Sequence, residues 1–192
     1  MIDATRWFDV QSTALPGLQV VSRLRRDDDR GFFSRFFCAE ALAEAGFALP
    51  IAQVNHSLTR RRGTLRGMHF QRPPHAEDKF VSCLRGEVFD VAVDLRRDSP
   101  TFLRWHGEVL SAANGRSLLI PQGFAHGFQA LHDDCELVYL HSRAYEASAE
   151  GGVRPTDAAL NITWPLPPSD LSDRDANFPL LEAGAAGARA AP

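Results

Sequence analysis

The hydrophobic positions of the chain fall in short runs separated by turn residues. Runs rich in Val, Phe, Leu and Ile, bounded by Gly, Pro, Asp or Asn, predict β-strands. They cover residues 18–24, 31–37, 51–57, 79–84, 88–95, 102–110, 117–121, 124–131 and 136–141. Residues 39–45 (AEALAEA) predict a helix, because they are strong helix formers followed by Gly46 and Pro50. Many short strands with one short helix favour an all-β sandwich or barrel.

The run over residues 88–95 alternates between two faces. Its odd-numbered positions are Phe, Val, Val and Leu, whereas Asp90 and Asp94 share the opposite face. The carboxylate of Asp90 is therefore expected to face either solvent or a polar cavity. After Trp164 the alternation gives way to a Pro-rich polar run, which we expect to wrap over the barrel.

Length and composition indicate one domain over residues 1–192, with a core of about residues 18–181 and a frayed tail at 184–192. The formal net charge of −3 gives no global positive field, which argues against nucleic-acid and membrane partners. No apolar run approaches the ~18 residues of a membrane span, and the first residues do not resemble a signal peptide, so we expect a cytoplasmic protein. Three cysteines without CxxC spacing, Cys38, Cys83 and Cys135, are expected to be reduced and structural.

Candidate chemistry concentrates in residues 66–70, 121–128 and 136–140. His69, His126 and Tyr139 are each ordinary strand residues when taken alone, and Arg66 and Lys79 are ordinary surface charges. All of them lie on or beside predicted strands of one small barrel, whose interior can gather them in one pocket.

The spacing of two segments resembles the motifs of the cupin superfamily of jelly-roll barrels. Residues 115–126 match the second motif, which ends at His126, and residues 63–77 resemble a degenerate first motif. Metal-binding cupins carry His-x-His in the first motif, where this chain has His69 followed by Gln71. A metal site of His69, His126 and Glu77 stays open as an alternative, but the lost ligand favours a metal-free site.

The middle of the chain resembles the dTDP-4-dehydrorhamnose 3,5-epimerase family. The matching segments, in order, are residues 29–33 (DRGFF), 53–57 (QVNHS), 63–71 (GTLRGMHFQ), 86–94 (GEVFDVAVD), 99–102 (SPTF), 121–128 (PQGFAHGF) and 171–175 (LSDRD). The resemblance implies a double-stranded β-helix (jelly-roll, cupin-like) barrel. It also implies a homodimeric epimerase without cofactor, acting on a nucleotide-diphosphate 4-keto-6-deoxy sugar.

The resemblance also implies catalytic roles for four residues. A C–H bond beside a ketone needs a base, a cation or donor for the enolate oxygen, and an acid on the opposite face. His69 matches the base, and Asp175 matches the carboxylate that orients it. Tyr139 matches the acid that returns a proton from the far side. Lys79 is the expected electrostatic partner of the enolate.

Further positions match ligand-contacting residues of the family. Arginines are expected at the diphosphate, polar residues along the pocket, and an aromatic side chain against the base. The expected substrate-binding residues are Arg30, Phe33, Arg35, Gln53, Asn55, Arg66, His126, Tyr145, Glu150 and Arg174. Of these, His126 is expected to be oriented by Asp90.

Three departures from the family pattern lie around base recognition. Arg35 stands where the family usually has an acidic residue, Val54 where it has Asp, and residues 140–144 (LHSRA) differ from its commoner polar run. The nucleobase, and C3-only against C3 and C5 inversion, therefore stay open. Besides the metal-dependent cupin, a non-catalytic cupin that binds a sugar nucleotide or stabilises an enzyme partner is a further alternative. The segment through Leu24 is expected to cross to a partner subunit.

Overall fold

The computed structural model describes residues 6–181, most of which lie in short β-strands. The strands are β1 (Phe8–Ser12), β2 (Gln19–Arg23), β3 (Arg25–Asp28), β4 (Gly31–Ser34), β5 (Gln53–Thr59), β6 (Leu65–Gln71), β7 (Lys79–Arg85), β8 (Glu87–Asp94), β9 (Trp105–Ser111), β10 (Arg116–Ile120), β11 (Phe124–Ala130), β12 (Cys135–His141) and β13 (Glu150–Gly152). Two short helices are α1 (Ala39–Glu44) and α2 (Asp173–Ala176).

Two antiparallel sheets face each other as a jelly-roll-like barrel. One has the strand order β1-β2-β10-β7-β12-β5 and the other β13-β6-β11-β8-β9, while β3 and β4 form a separate hairpin. Sequence-distant strands are neighbours in both sheets, which is typical of a jelly roll. The predicted all-β, cupin-like fold is confirmed.

Three apolar clusters hold the layers together. The first fills the barrel between the sheets and includes Val81, Leu118 and Phe128. A second lies where α1 packs its buried Leu42 against the six-stranded sheet. The third lies under the C-terminal segment, where Trp164 covers the outer face of the five-stranded sheet. The expected wrapping by this segment is confirmed.

Seven of the nine predicted strands match observed strands within two residues, and the helix lies where it was expected. The strand predicted over 31–37 ends at Ser34, because Phe36 and Phe37 leave the hairpin to pack beside α1. The strand predicted from residue 102 begins at Trp105, because Leu103 has a positive φ of 61° in a tight turn. Strands β1, β3, β6 and β13 and helix α2 were not among the predicted ranges.

The cysteines agree with the expectation of reduced, structural thiols. All three are unpaired, and Cys83 and Cys135 are buried in the apolar cluster inside the barrel. Among residues 6–181, no helix is both long and apolar enough to cross a membrane. The expected frayed tail at 184–192 lies outside the described residues.

Candidate active site

A cavity of about 980 Å³ opens between the two sheets at one end of the barrel. Among the side chains that line it, eight were predicted from the sequence: Asn55, Arg66, His69, Lys79, His126, Tyr139, Arg174 and Asp175. The fold thus brings the four expected catalytic residues, which are more than 100 positions apart at the extremes, into one space.

Strand pairing explains this convergence. His69 of β6 pairs with His126 of β11 in the five-stranded sheet. In the facing sheet Tyr139 of β12 pairs with Asn55 of β5. Because alternate side chains of a strand point to the same face, each pair directs its side chains into the barrel from opposite sheets.

A close approach of two glycines places the carboxylate beside His69. A Cβ atom on Gly67 would lie 2.5 Å from the Cα of Gly127, and Gly67 has a φ of +125°, so a larger residue does not fit there. The amide N–H of Gly67 donates to Oδ2 of Asp175 at 3.0 Å. The N-cap hydroxyl of Ser172 accepts from the amide of Asp175 at 3.1 Å, which fixes the start of α2.

His69 and Asp175 form a hydrogen-bonded pair. Nε2 of His69 lies 2.7 Å from Oδ1 of Asp175, and the carboxylate side chain is 5% exposed against 29% for the imidazole. Burial by itself would raise the pKa of Asp175, but the hydrogen bonds from His69 and Gly67 outweigh it and lower the pKa. An ionised carboxylate in this position can orient the ring and balance the charge of an imidazolium.

Arg174 approaches the same ring nitrogen. Its Nη2 lies 3.0 Å from Nε2 of His69, and its Nη1 donates to Glu150 at 3.0 Å. The guanidinium group of Arg174 can only donate, so a hydrogen bond from it requires a lone pair on Nε2 of His69. The hydrogen bond to the carboxylate of Asp175 requires instead a proton on Nε2. The shorter contact assigns the proton to the bond with Asp175, which leaves the other ring nitrogen of His69 free to act as a base.

Tyr139 faces His69 from the opposite sheet. Its hydroxyl is 3.0 Å from the hydroxyl of Ser57, and its ring packs against the apolar cluster inside the barrel. Burial raises the pKa of Tyr139 well above the ordinary value of a phenol, and the hydrogen bond with Ser57 only partly offsets this. Tyr139 is therefore protonated at neutral pH, as a proton donor must be.

Lys79 is the only lysine in a sequence with twenty arginines. Its Nζ lies 3.1 Å from Oε1 of Glu77 and 3.3 Å from the backbone oxygen of His69, and its side chain is 9% exposed. A compact ammonium group at this depth differs from the planar guanidinium used everywhere else in the chain. The single lysine of the sequence therefore marks Lys79 as a candidate for a role that needs a compact cation.

His126 and Asp90 form a second, more deeply buried pair. Nε2 of His126 is 2.8 Å from Oδ1 of Asp90, and the two side chains are 7% and 0% exposed. Asp90 does not face solvent: its carboxylate is buried and reaches the cavity through His126, which lines it. Its Oδ2 has no hydrogen-bond partner within residues 6–181.

A smaller cavity of about 180 Å³ adjoins the first and shares Asn55, His69 and Lys79 with it. The remaining predicted residues that line it are Gln53, Tyr145 and Glu150. The side-chain oxygen of Gln53 accepts from the amide of Tyr145 at 2.9 Å, and the Tyr145 hydroxyl donates to Glu150 at 3.0 Å. These groups form a polar extension of the main cavity.

Three predicted binding residues lie away from both cavities of their own chain. Arg30 pairs with Asp28 at 2.6 Å at the tip of the β3–β4 hairpin. The ring of Phe33 is 63% exposed, and the guanidinium of Arg35 lies over the ring of Trp7 at 4.4 Å. Within one chain the structure does not bring them to the site.

The residues of the alternative metal site have separate partners. His69 bonds to Asp175, His126 bonds to Asp90, and Glu77 is held by Lys79. Across the described part of the chain, no group of three or more His, Cys, Asp or Glu side chains is arranged to hold a metal ion. The geometry gives this alternative no support.

Two cavity residues, Ser57 and His141, were missed in the sequence. Ser57 is two and four positions after Asn55 and Gln53 on β5, and His141 is two positions after Tyr139 on β12. Side chains two positions apart on a strand point to the same face, so a residue two positions from an inward-facing residue also faces inward. This alternation is the signal from which both could have been found.

Fold and site together define a cupin-like barrel enzyme built for proton transfer, with a His–Asp pair in one sheet and a protonated phenol in the other. Residues 12–183 match the family model described as dTDP-4-dehydrorhamnose 3,5-epimerase. The chain belongs to this family and is accordingly an isomerase of the epimerase class.

Individual relatives agree with this assignment. A dTDP-4-dehydrorhamnose 3,5-epimerase of Shigella flexneri is 44% identical over 171 residues, which cover 88% of this chain and 94% of that protein. A dTDP-4-dehydrorhamnose 3-epimerase of Streptomyces niveus is 41% identical, with 87% and 81% covered. The solved structure of a dTDP-6-deoxy-D-glucose-3,5-epimerase from Legionella pneumophila, in complex with dTDP-4-keto-L-rhamnose, is 38% identical with a TM-score of 0.87, with 92% and 94% covered.

Proposed function

We propose that the protein epimerises a nucleotide-linked 4-keto-6-deoxyhexose, such as dTDP-4-dehydro-6-deoxyglucose, at C3 and C5 without a metal or organic cofactor. The observation that carries this is the placing of the His69–Asp175 pair and the protonated Tyr139 on opposite walls of one cavity. A base and an acid on opposite sides of a carbon are what inversion requires, since a single group would return the proton to the face it left.

In the first half of the reaction, the free ring nitrogen of His69 takes the proton from the carbon beside the ketone. The electron pair of the broken C–H bond moves to the ketone oxygen as an enolate. Asp175 balances the imidazolium that results, and the ammonium group of Lys79 stabilises the enolate oxygen. Both stabilising groups are held at the base itself, because Lys79 contacts the backbone oxygen of His69.

In the second half, the hydroxyl of Tyr139 gives its proton to the same carbon from the other side. The electron pair returns from the enolate oxygen, the ketone reforms, and Tyr139 is left as a phenolate. Ser57 is placed at 3.0 Å to donate a hydrogen bond to that phenolate. Exchange with solvent then removes the proton from His69 and returns one to Tyr139. A second cycle at the carbon on the other side of the ketone gives the double inversion.

For substrate binding, we propose that Arg66 meets the diphosphate and that Tyr145 stacks on the base. Arg66 lines the main cavity, where its Nε donates to Thr59 at 3.1 Å, and Tyr145 lines the smaller cavity with 54% of its surface exposed. His126, oriented by Asp90 through Nε2, presents its other ring nitrogen as a buried hydrogen-bonding group for the sugar.

We also propose a homodimer in which the β3–β4 hairpin of one protomer reaches the cavity of its partner. Arg30 and Phe33 match ligand-contacting positions, yet they project from the hairpin away from their own cavity. Strand β1 is at an open edge of the six-stranded sheet, and such edges favour pairing with another chain. A cytoplasmic location is supported by the three unpaired cysteines.

Incubation with dTDP-4-keto-6-deoxyglucose in D₂O tests the proposed activity. We expect deuterium at C3 and C5, read by NMR and mass spectrometry, with conversion to the rhamno epimer. Exchange at C3 alone would assign C3 epimerisation and keep the base. Tight binding without exchange, for this and other 4-keto nucleotide sugars including cytidine derivatives, would overturn the proposal in favour of a non-catalytic cupin.

A further inference from the structure

A buried carboxylate lies between two basic side chains beside the proposed base. Oε1 of Glu77 is 3.1 Å from Nζ of Lys79, and its Oε2 is 3.3 Å from Nδ1 of His141. Gln71 also donates to Oε2, at 2.9 Å. The side chains of Glu77, Lys79 and His141 are 7%, 9% and 12% exposed, so water screens these charges weakly.

The charge of Glu77 conflicts with the proposed role of Lys79. Lys79 is expected to stabilise a developing negative charge, yet Glu77 cancels its positive charge at 3.1 Å. The carboxylate is needed as a partner, because a buried ammonium without one is costly. With His141 neutral the trio has no net charge, and with His141 protonated it carries one positive charge.

The carboxylate stays ionised in this setting. Burial alone would raise the pKa of Glu77, but the hydrogen bond and charge of His141 and the charge of Lys79 outweigh it and lower the pKa. Neutralising Glu77 therefore does not resolve the conflict.

The position of His141 suits that task. It pairs directly with Lys79 across β12 and β7, so both side chains enter the barrel side by side. Its ring stacks on Tyr139 with centroids 6.2 Å apart and planes at 28°, and its Nε2 lies 3.4 Å from Asn55. The ring thus borders both the proposed acid and the proposed cation.

The charged and titratable groups around His141 come from several strands and the segments beside them. In the smaller cavity they are Glu77 and Lys79 beside and on β7, His69 on β6, and Tyr145 and Glu150 before and on β13, while Tyr139 on β12 stacks on the ring. The main cavity, which His141 also lines, adds His56, Arg60, Arg61, Arg66, His126, Asp170, Arg174 and Asp175. Of these, Glu77 is the acidic group with a direct contact to the imidazole.

We propose that His141 is a positioning residue that acts in its protonated form, sharing the charge of Glu77 so that Lys79 keeps a net positive field at the enolate oxygen. This inference rests on the proposed epimerase function and adds a residue to it. His141 takes its proton from solvent, and its protonation state is the same at the start and at the end of the catalytic cycle. The first step, removal of the C3 proton, then depends on the charge of an imidazole that does not touch the reacting carbon.

A pair of variants tests the charge balance directly. His141→Gln keeps a side-chain donor but removes the cation, and we expect C3 exchange in D₂O to slow about tenfold at saturating substrate, with little change in KM. His141→Gln/Glu77→Gln replaces the carboxylate by an amide, whose oxygen still accepts a hydrogen bond from Lys79 but no longer cancels its charge, so exchange should recover most of the loss. A double variant as slow as His141→Gln, or slower, would show a merely structural role and would overturn the inference.

The single lysine allows a second readout that needs no substrate. Labelling with [ε-¹³C]lysine gives one side-chain resonance, that of Lys79. In the wild type this resonance should show a pH-dependent step, and the step should vanish in His141→Gln. A resonance whose pH dependence is the same in both proteins would contradict the coupling, whether or not the wild type shows epimerase activity. Wild-type inactivity, by contrast, would count against the proposed function alone.

Discussion

The proposed first proton transfer depends on the contact between His69 and Asp175. The bond of 2.7 Å uses one ring nitrogen of His69, and the lowered pKa of Asp175 keeps the carboxylate charged as the ring takes up a proton. Asp175 is also a capping-turn residue of α2, so one side chain serves the helix start and the base.

Replacement of the base tests this assignment. His69→Ala should abolish deuterium exchange at every carbon, and Asp175→Asn, which keeps the shape but loses the charge, should slow it by about 10²-fold or more. Exchange is measured by NMR under saturating substrate. Because Asp175 is charged above its lowered pKa, the wild-type rate should not fall through protonation of Asp175 at neutral pH. An Asp175→Asn variant with the full rate would remove the carboxylate from the mechanism.

At the scale of the elements, the turn after β8 is held by a single buried carboxylate. Asp94 accepts from Arg96 at 2.9 Å, from Ser99 at 2.5 Å and from Thr101 at 2.6 Å. Burial alone would raise the pKa of Asp94, but these bonds outweigh it and lower the pKa to about 2. The turn between β8 and β9 therefore depends on the ionised form.

The effect on stability follows from the sign of this shift. A folded-state pKa below the unfolded value of about 3.9 contributes stability that is present above about pH 4 and is lost as the pH falls towards 2. Asp94→Asn should lower the free energy of unfolding by about 2 kcal/mol at pH 7, measured in urea, and the gap to wild type should narrow as the pH falls from about 4 towards 2. Asp98→Asn, an exposed carboxylate in the same turn, is the matched control and should match wild type. A gap that stays constant with pH would contradict this account.

Alternation along the chain was enough to predict most strands and the side of β8 that carries Asp90. The same alternation also places Ser57 and His141 on the inward faces of their strands, although neither was predicted as a site residue. Asp175 had no such local signal, because α2 reaches the cavity only when the C-terminal segment folds back over β6; the family resemblance alone pointed to it. For Arg30 and Phe33, the matching motifs predicted a role in substrate binding. The sequence did not show that the hairpin places both residues away from the cavity of their own chain.

At the scale of the whole molecule, the exposed β3–β4 hairpin is the feature that one chain leaves unexplained. Phe32 and Phe33 are 57% and 63% exposed, next to arginines that lie over aromatic rings. Contiguous exposed aromatic groups of this kind are typical of surfaces that bind another chain.

A charge on this surface tests the dimer. Phe33→Asp should leave the barrel folded, because the side chain is exposed, but it should shift the protein towards monomer in light scattering and raise KM. Leu180→Asp changes a comparably exposed residue, 55%, outside the hairpin and should leave both unchanged. A wild-type protein that is monomeric at micromolar concentration would contradict the proposed dimer.

The proposed mechanism depends on separate roles for His69 as the base and Tyr139 as the acid. The Tyr139→Phe variant separates these roles in a single experiment. Deuterium uptake at C3 and formation of the inverted product are measured in the same D₂O reaction. We expect uptake at C3 to persist, since the base is intact, while the inverted product falls by about 10²-fold or more because the opposite face has lost its acid. Equal loss of uptake and product would contradict separate acid and base roles for the two walls of the cavity.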